Sequence, residues 1–154
     1  MWGIYTFKQN KMDTRQKNAD YELQMRFNRA NRRFRRSWLG KRYTIQVIGV
    51  LRTDEEQRKL WWQSREEENG KIVRRAGELH VTYLDGVVNR SKHQANENGE
   101  SEAIDFAPIN KKTGKIDWLR VLPFWIFGRM CEQENLFWGG RFKGFKDLGH
   151  IEIR

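Results

Sequence analysis

Between Asp20 and Trp38 apolar residues return at three- and four-residue steps, as Leu23, Phe27, Ala30 and Phe34. No Gly or Pro interrupts the run. The spacing predicts a helix with one apolar stripe, stopped at Gly40. Its other faces carry Arg26, Arg29, Arg32, Arg33, Arg35 and Arg36. Tyr43 to Leu51 (YTIQVIGVL) is rich in β-branched residues and predicts a strand. Thr53 followed by Glu56 forms a capping-box pattern that opens a helix over about Asp54 to Arg65. Glu66 to Leu79 is polar and predicts a loop or hairpin, and His80 to Leu84 a short strand. Ser91 to Gly99 is polar and irregular, Glu102 to Ala107 alternates as a strand end, and Lys111 to Lys115 is a turn. Pro123 suits the first turn of a helix reaching about Glu134, where its missing N–H is harmless. Phe124, Phe127 and Met130 would face inward from it. Leu136 to Trp138 and Gly149 to Ile153 complete the set as short strands. Strands and helices without a βαβ rhythm predict a single α+β domain, with a small, mainly antiparallel sheet and packed helices.

Composition narrows the class. The 154 residues suffice for one domain, and 38% apolar against 32% charged residues describe a globular chain, not a disordered one. Seven Trp and nine Phe supply much of the core. The one cysteine, Cys131, excludes an internal disulfide; among Phe127, Met130 and Leu136 it reads as a small buried apolar residue. No apolar run reaches the length of a membrane span, and Met1 to Asn10 does not read as a signal peptide. The expected location is therefore a cytoplasm. The net charge of +10 calls for anionic partners: nucleic acid, wall polymers or a lipid surface. From Leu23 to Arg42 there are eight Arg or Lys and no Asp or Glu, yet no nucleic-acid-binding motif accompanies them.

The candidate chemistry sits in three histidines, His80, His93 and His150. His80 stands alone and reads as an ordinary surface or core histidine. His93 lies in Ser91-Lys92-His93-Gln94, Asp105 follows in Ala103-Ile104-Asp105-Phe106, and His150 in Asp147-Leu148-Gly149-His150-Ile151-Glu152. This order resembles the superfamily of VanY-type D-Ala-D-Ala carboxypeptidases and L-alanyl-D-glutamate endopeptidases. Its pattern is S-x-H-x-x-G-x-A-x-D followed by a distal D/E-x-x-H. Ser91, His93, Ala103 and Asp105 match the first part, and Asp147 and His150 the second. Arg52, Thr53 and Gln57 fall where the family carries R-T-x-x-x-Q. The segment Trp138-Gly139-Gly140 through Phe145, Asp147, His150 and Glu152 resembles the phage endolysin branch. The likeness spans roughly Tyr43 to Arg154.

The family spaces its first His and its Asp by seven residues; here His93 to Asp105 is twelve. The surplus, near Asn96-Glu97-Asn98-Gly99-Glu100, suits an exposed loop, and Ser101 stands in the place of the family's Gly. Glu97, Glu100 and Glu102 are alternative carboxylate ligands to Asp105. The resemblance implies a Hedgehog/DD-peptidase-like fold over residues 1–154, with a basic helical segment at about 14–40 and a metal-binding core at about 43–154. It further implies one Zn²⁺ held by His93, Asp105 and His150, with Asp147 as general acid/base. Arg52 or Gln57 would stabilise the oxyanion, and Ser91 would contact substrate or support a ligand.

The expected function is that of a zinc peptidase of endolysin type, cutting wall stem peptides at the L-alanyl-D-glutamate bond. It would be a monomer waiting in the host bacterial cytoplasm until lysis. Cleavage of D-Ala-D-Ala is the near alternative, and a basic nucleic-acid-binding module without catalysis the distant one. In the enzyme reading the partner is peptidoglycan, the basic helix attracts anionic envelope polymers or lipid, and no specific nucleic acid is bound.

Overall fold

The computed structural model describes residues 15–78 and 81–154, so the expectations for Met1 to Asn10 and for His80 lie outside the described residues. Helix α1 is Tyr21–Arg36, and its Leu23, Phe27, Ala30 and Phe34 are all buried. Asp20 caps it, its side chain accepting from the Leu23 N–H at 3.1 Å. That satisfies one of the donors a helix start leaves unpaired. The helix ends at Ser37, three residues before the expected stop. The Ser37 hydroxyl donates to the Phe34 carbonyl at 2.6 Å and accepts from the Gly40 N–H at 3.2 Å, turning the chain into a 3₁₀ turn over Leu39–Lys41. Gly40 is needed for space instead: a Cβ there would lie 2.3 Å from the Phe34 carbonyl oxygen.

Strand β1 is Tyr43–Gly49 and helix α2 is Asp54–Trp62. Both halves of the capping box form, Glu56 N–H to Thr53 Oγ1 at 3.1 Å and Thr53 N–H to Glu56 Oε2 at 2.8 Å. Helix α2 stops short of Arg65 because that residue opens a hairpin, β2 (Arg65–Glu68) with β3 (Lys71–Arg74). Residues 81–84 are not a strand, contrary to the pattern. Their carbonyls are taken by side chains: Thr82 O accepts from Arg65 at 3.0 Å and Leu84 O from Gln57 at 2.7 Å.

Strand β4 (Ala103–Asn110) is central, followed by β5 (Lys115–Ile116), helix α3 (Val121–Glu132), β6 (Phe137–Trp138) and β7 (His150–Glu152). The main sheet runs β1-β4-β7-β6, with β5 beside the far end of β4, and every pairing is antiparallel. A bulge at Ile48 breaks the β1–β4 register, since Val47 faces Phe106 and Gly49 faces Asp105. An extra residue there bends the strand beside Asp105.

The core gathers around Phe127 of α3. Its ring meets Phe27 and Phe34 of α1 edge-on at 5.4 and 5.6 Å, and Phe106 of β4 at 4.7 Å. Phe124 and Phe127 are buried as the spacing predicts, Met130 packs partly buried against the core, and Cys131 is fully buried. Side chains alternate across a strand. Asp105 therefore points away from the Phe106 face, and with its partner His150 lies on the side of the sheet opposite the packed helices. No helix among the described residues is long and apolar enough to cross a membrane.

Candidate metal centre

Three elements deliver three side chains to one point. Asp105 and His150 face each other across β4 and β7. His93 comes from the irregular loop, which β1's exit holds through a hydrogen bond from Arg52 N–H to His93 O at 2.8 Å. The loop is shaped from inside. The Ser91 hydroxyl accepts from the His93 N–H at 3.2 Å, and buried Gln94 accepts from Ser91 N–H while donating to Gly86 O and Asp54.

One hydrogen bond fixes the tautomer of His93. A carbonyl only accepts, so His93 Nδ1 carries a proton and donates it to Val50 O at 2.6 Å. His150 meets a carboxylate at each ring nitrogen, Glu152 at 3.1 Å from Nε2 and Asp105 at 3.0 Å from Nδ1; with a cation in the cluster its one proton would sit on Nε2, toward Glu152. The lone pairs of His93 Nε2 and His150 Nδ1 then converge with Asp105 Oδ1. The separations are 3.1 Å for His93–Asp105, 3.0 Å for His150–Asp105 and 3.3 Å for His93–His150. Three acceptors this close repel unless a positive charge lies among them. A tetrahedral zinc ion with bonds of about 2.0–2.1 Å spaces its ligand atoms about 3.3 Å apart, so the set fits that ion. The second ring nitrogen of each histidine meets a carbonyl or a carboxylate, the usual outer support of a metal-bound imidazole.

Among side chains alone, a proton fills the same role. Burial disfavours the His150 imidazolium, but hydrogen bonds to Asp105 and Glu152 outweigh it and raise the pKa to about 10. Burial likewise pushes the Asp105 carboxyl up, and His93 and His150 overcome this to hold it well below the usual carboxylate range.

The longer loop does not displace Asp105 from the cluster. Asn96 ties the insertion into a closed turn, its side chain accepting from Asn98 and Glu100 N–H groups. Glu97 is exposed, Glu102 pairs with Lys92, and among the described residues the group able to hold a metal is His93, Asp105 and His150.

A solved structure of similar shape is the crystal structure of the Serratia marcescens L-Ala D-Glu endopeptidase ChiX. It superposes with a TM-score of 0.57 at 17% sequence identity, over 90% of this chain and 83% of that one. The two share a fold. No protein-family model and no curated protein sequence matches the chain.

Around the cluster stand the remaining predicted residues. Asp147 is partly buried; burial and nearby Asp105 push its carboxyl above the ordinary range. Gly139 sets its position, accepting from Asp147 N–H at 3.1 Å, and a Cβ on Gly139 would lie 2.4 Å from the Asp147 carbonyl. Arg52 is strongly desolvated, which lowers its pKa, while Asp105, Glu56 and Asp147 attract its charge. It donates to Gln57 Oε1 at 2.7 Å. Gln57 is itself fully buried, and its amide nitrogen goes to Leu84 O.

Two contributors escaped the sequence reading of roles. Glu152 enters the motif only as a matching position, although two-residue spacing in a strand puts it on the face of His150. Ser101 is fully buried, and its hydroxyl lies 2.8 Å from Val50 O, the same carbonyl that receives His93 Nδ1. No spacing rule points to that bond.

Proposed function

We propose that this protein is a zinc-dependent peptidoglycan peptidase of the phage endolysin type, hydrolysing the L-alanyl-D-glutamate bond of wall stem peptides. The observation that carries this reading is the meeting of two imidazole nitrogens and a carboxylate oxygen on a fold shared with an L-Ala D-Glu endopeptidase. His93, Asp105 and His150 would hold the ion, through Nε2, Oδ1 and Nδ1. Bound zinc supplies Lewis acidity, polarising an amide carbonyl and bringing the pKa of water down to about 7.

The chain's own groups do the rest. Asp147 accepts a proton from the attacking water at its carboxylate and delivers it to the departing amine nitrogen. A carboxyl raised by burial and by Asp105 suits both halves of that task. Arg52 offers its guanidinium to the negative charge growing on the carbonyl oxygen. Gln57 fixes the aim of Arg52, and Ser91 holds the turn that presents His93. Water and amide become a carboxylate and an amine, with no redox step.

In this reading the protein is a monomer that stays in the host cytoplasm until lysis. Arg26, Arg29 and Arg33 of α1 are occupied at Asn135, Glu134 and Met130. Attraction to anionic envelope polymers then falls to exposed Arg32, Arg35 and Arg36.

Digestion of purified peptidoglycan, followed by mass spectrometry of the new amino termini, tests the reading. A new D-Glu amino terminus is the expected product. Free D-Ala alone would shift the assignment to a carboxypeptidase. Nucleic-acid retention without zinc or hydrolysis would replace it with a binding module.

A further inference from the structure

A second surface lies at the other end of β4. Asp105 is near the strand's start and Asn110 ends it, five residues and about 17 Å along the chain. Beside Asn110 is a depression of about 560 Å³ lined by Lys41, Arg42, Lys111, Lys112 and Arg120. It adjoins a second of about 310 Å³, lined by Trp38, Leu119, Val121 and Leu122, and the two share Arg42, Tyr43 and Arg120. No acidic side chain lines either depression. Nearby Asp117 is paired with Arg120 at 3.3 Å.

The apolar residues here are unusually open to water. Leu119 is 82% exposed, Trp38 60%, Leu122 48% and Trp125 46%. Val121, Leu122 and Trp125 follow the three- and four-residue spacing of one side of α3, so the apolar area continues along the helix. Clustered exposed apolar side chains with a charged rim mark an interaction site.

We propose that this face docks on an anionic phospholipid bilayer. Trp38, Leu119 and Leu122 enter the boundary between headgroups and acyl chains, while Lys41, Arg42, Lys112 and Arg120 meet lipid phosphates. Tryptophan with aliphatic residues and a cationic rim is the chemistry of that boundary. A second copy of the chain is a poor occupant, because a two-fold contact would bring the same cations together. A nucleic acid would use the cations and the tryptophan but gains little from Leu119, Val121 and Leu122. The inference stands on this surface alone and does not rest on the catalytic reading. The metal centre, at the other end of β4, stays clear of the docked face.

Co-sedimentation of the full chain with vesicles tests it, using phosphatidylcholine with and without phosphatidylglycerol. Binding is expected only with phosphatidylglycerol and should weaken with salt. Leu119→Ser with Leu122→Ser, and separately Lys41→Ser with Arg42→Ser, should each lower partitioning at least about tenfold with the circular dichroism unchanged. Arg58→Gln with Lys59→Gln, exposed on α2 and outside both depressions, should leave most of it. Three results would overturn the proposal: no binding to phosphatidylglycerol vesicles, binding indifferent to the leucine pair, or binding abolished by the α2 changes. So would preferential retention of a DNA duplex that depends on Lys41 and Arg42 but not on the leucines.

Discussion

Asp105 and His150 are register partners across β4 and β7, and Asp105 Oδ1 lies 3.0 Å from His150 Nδ1. Both stand on sheet backbone, which holds side chains more closely than a loop does. Only His93 arrives from irregular chain, and its ring is pinned by the Val50 carbonyl.

The first prediction concerns the ion. The purified protein should take up about one zinc per chain and lose hydrolysis on chelation, with recovery on adding zinc back. Asp105→Ala should lose zinc stoichiometry while keeping the far-ultraviolet dichroism of the fold. Hydrolysis that survives exhaustive chelation would remove the metal from the account.

Glu152 supports His150 without joining the cluster. Glu152→Ala should weaken zinc affinity about 10–100-fold, measured by competition with a chromogenic chelator. Its loss should also free Arg154, which bonds Glu152 at 2.7 Å and lies over the Phe137 ring. An unchanged zinc affinity would show that His150 is oriented by its strand alone.

Asp147 should separate chemistry from metal binding. Asp147→Asn keeps the size and the acceptor for Gly149 N–H, but it cannot shuttle a proton. Turnover is expected to fall about 100- to 10,000-fold with zinc content intact. Zinc lost in parallel with turnover would mean a structural role instead.

Gly128 tests how α3 is seated. Alanine would add about 1 kcal/mol of helix propensity. Its Cβ, however, would lie 2.2 Å from Cε2 of Trp138, which is almost fully buried and hydrogen-bonded to Leu148 O. Overlap should win, with Gly128→Ala destabilising by about 1–3 kcal/mol in denaturant melts. A variant as stable as the parent would show that the Trp138 ring can shift.

Cys131 should be inert to alkylating reagents at neutral pH in the folded protein and react on unfolding. Burial pushes its thiol above the ordinary 9.0, so the folded state favours the protonated form. The sign follows. This contribution to stability is complete below pH 9.0 and declines as pH rises toward the folded value, because the unfolded chain ionises first. Rapid alkylation of the native protein would contradict it.

Elements governed by local rules were legible in the chain. The stripe Leu23-Phe27-Ala30-Phe34, the β-branched run of β1 and the Thr53–Glu56 capping box all appear where the pattern puts them. The helix-on-sheet arrangement and the antiparallel sheet also follow the expected α+β class. What the pattern missed depends on partners distant in sequence. Residues 81–84 alternate like a strand, yet Gln57 and Arg65 claim their carbonyls. Gly40 looks like a helix stop, yet Ser37 ends the helix through its own hydroxyl. At the site, His93, Asp105 and His150 were visible through their motif, and the geometry brings them together. The link from Ser101 to Val50 to His93 spans 51 and 43 positions, and no spacing reveals it.

Phe127 has a consequence for anyone wishing to trim the molecule. Its ring touches α1 on one side and β4 on the other, so a fragment starting at Tyr43 would leave a bare aromatic socket where Phe27 and Phe34 had been. The arginine-rich helix α1 is thus a wall of the house and not a detachable appendage. Grafting the half that carries His93, Asp105 and His150 elsewhere would require a replacement for that wall.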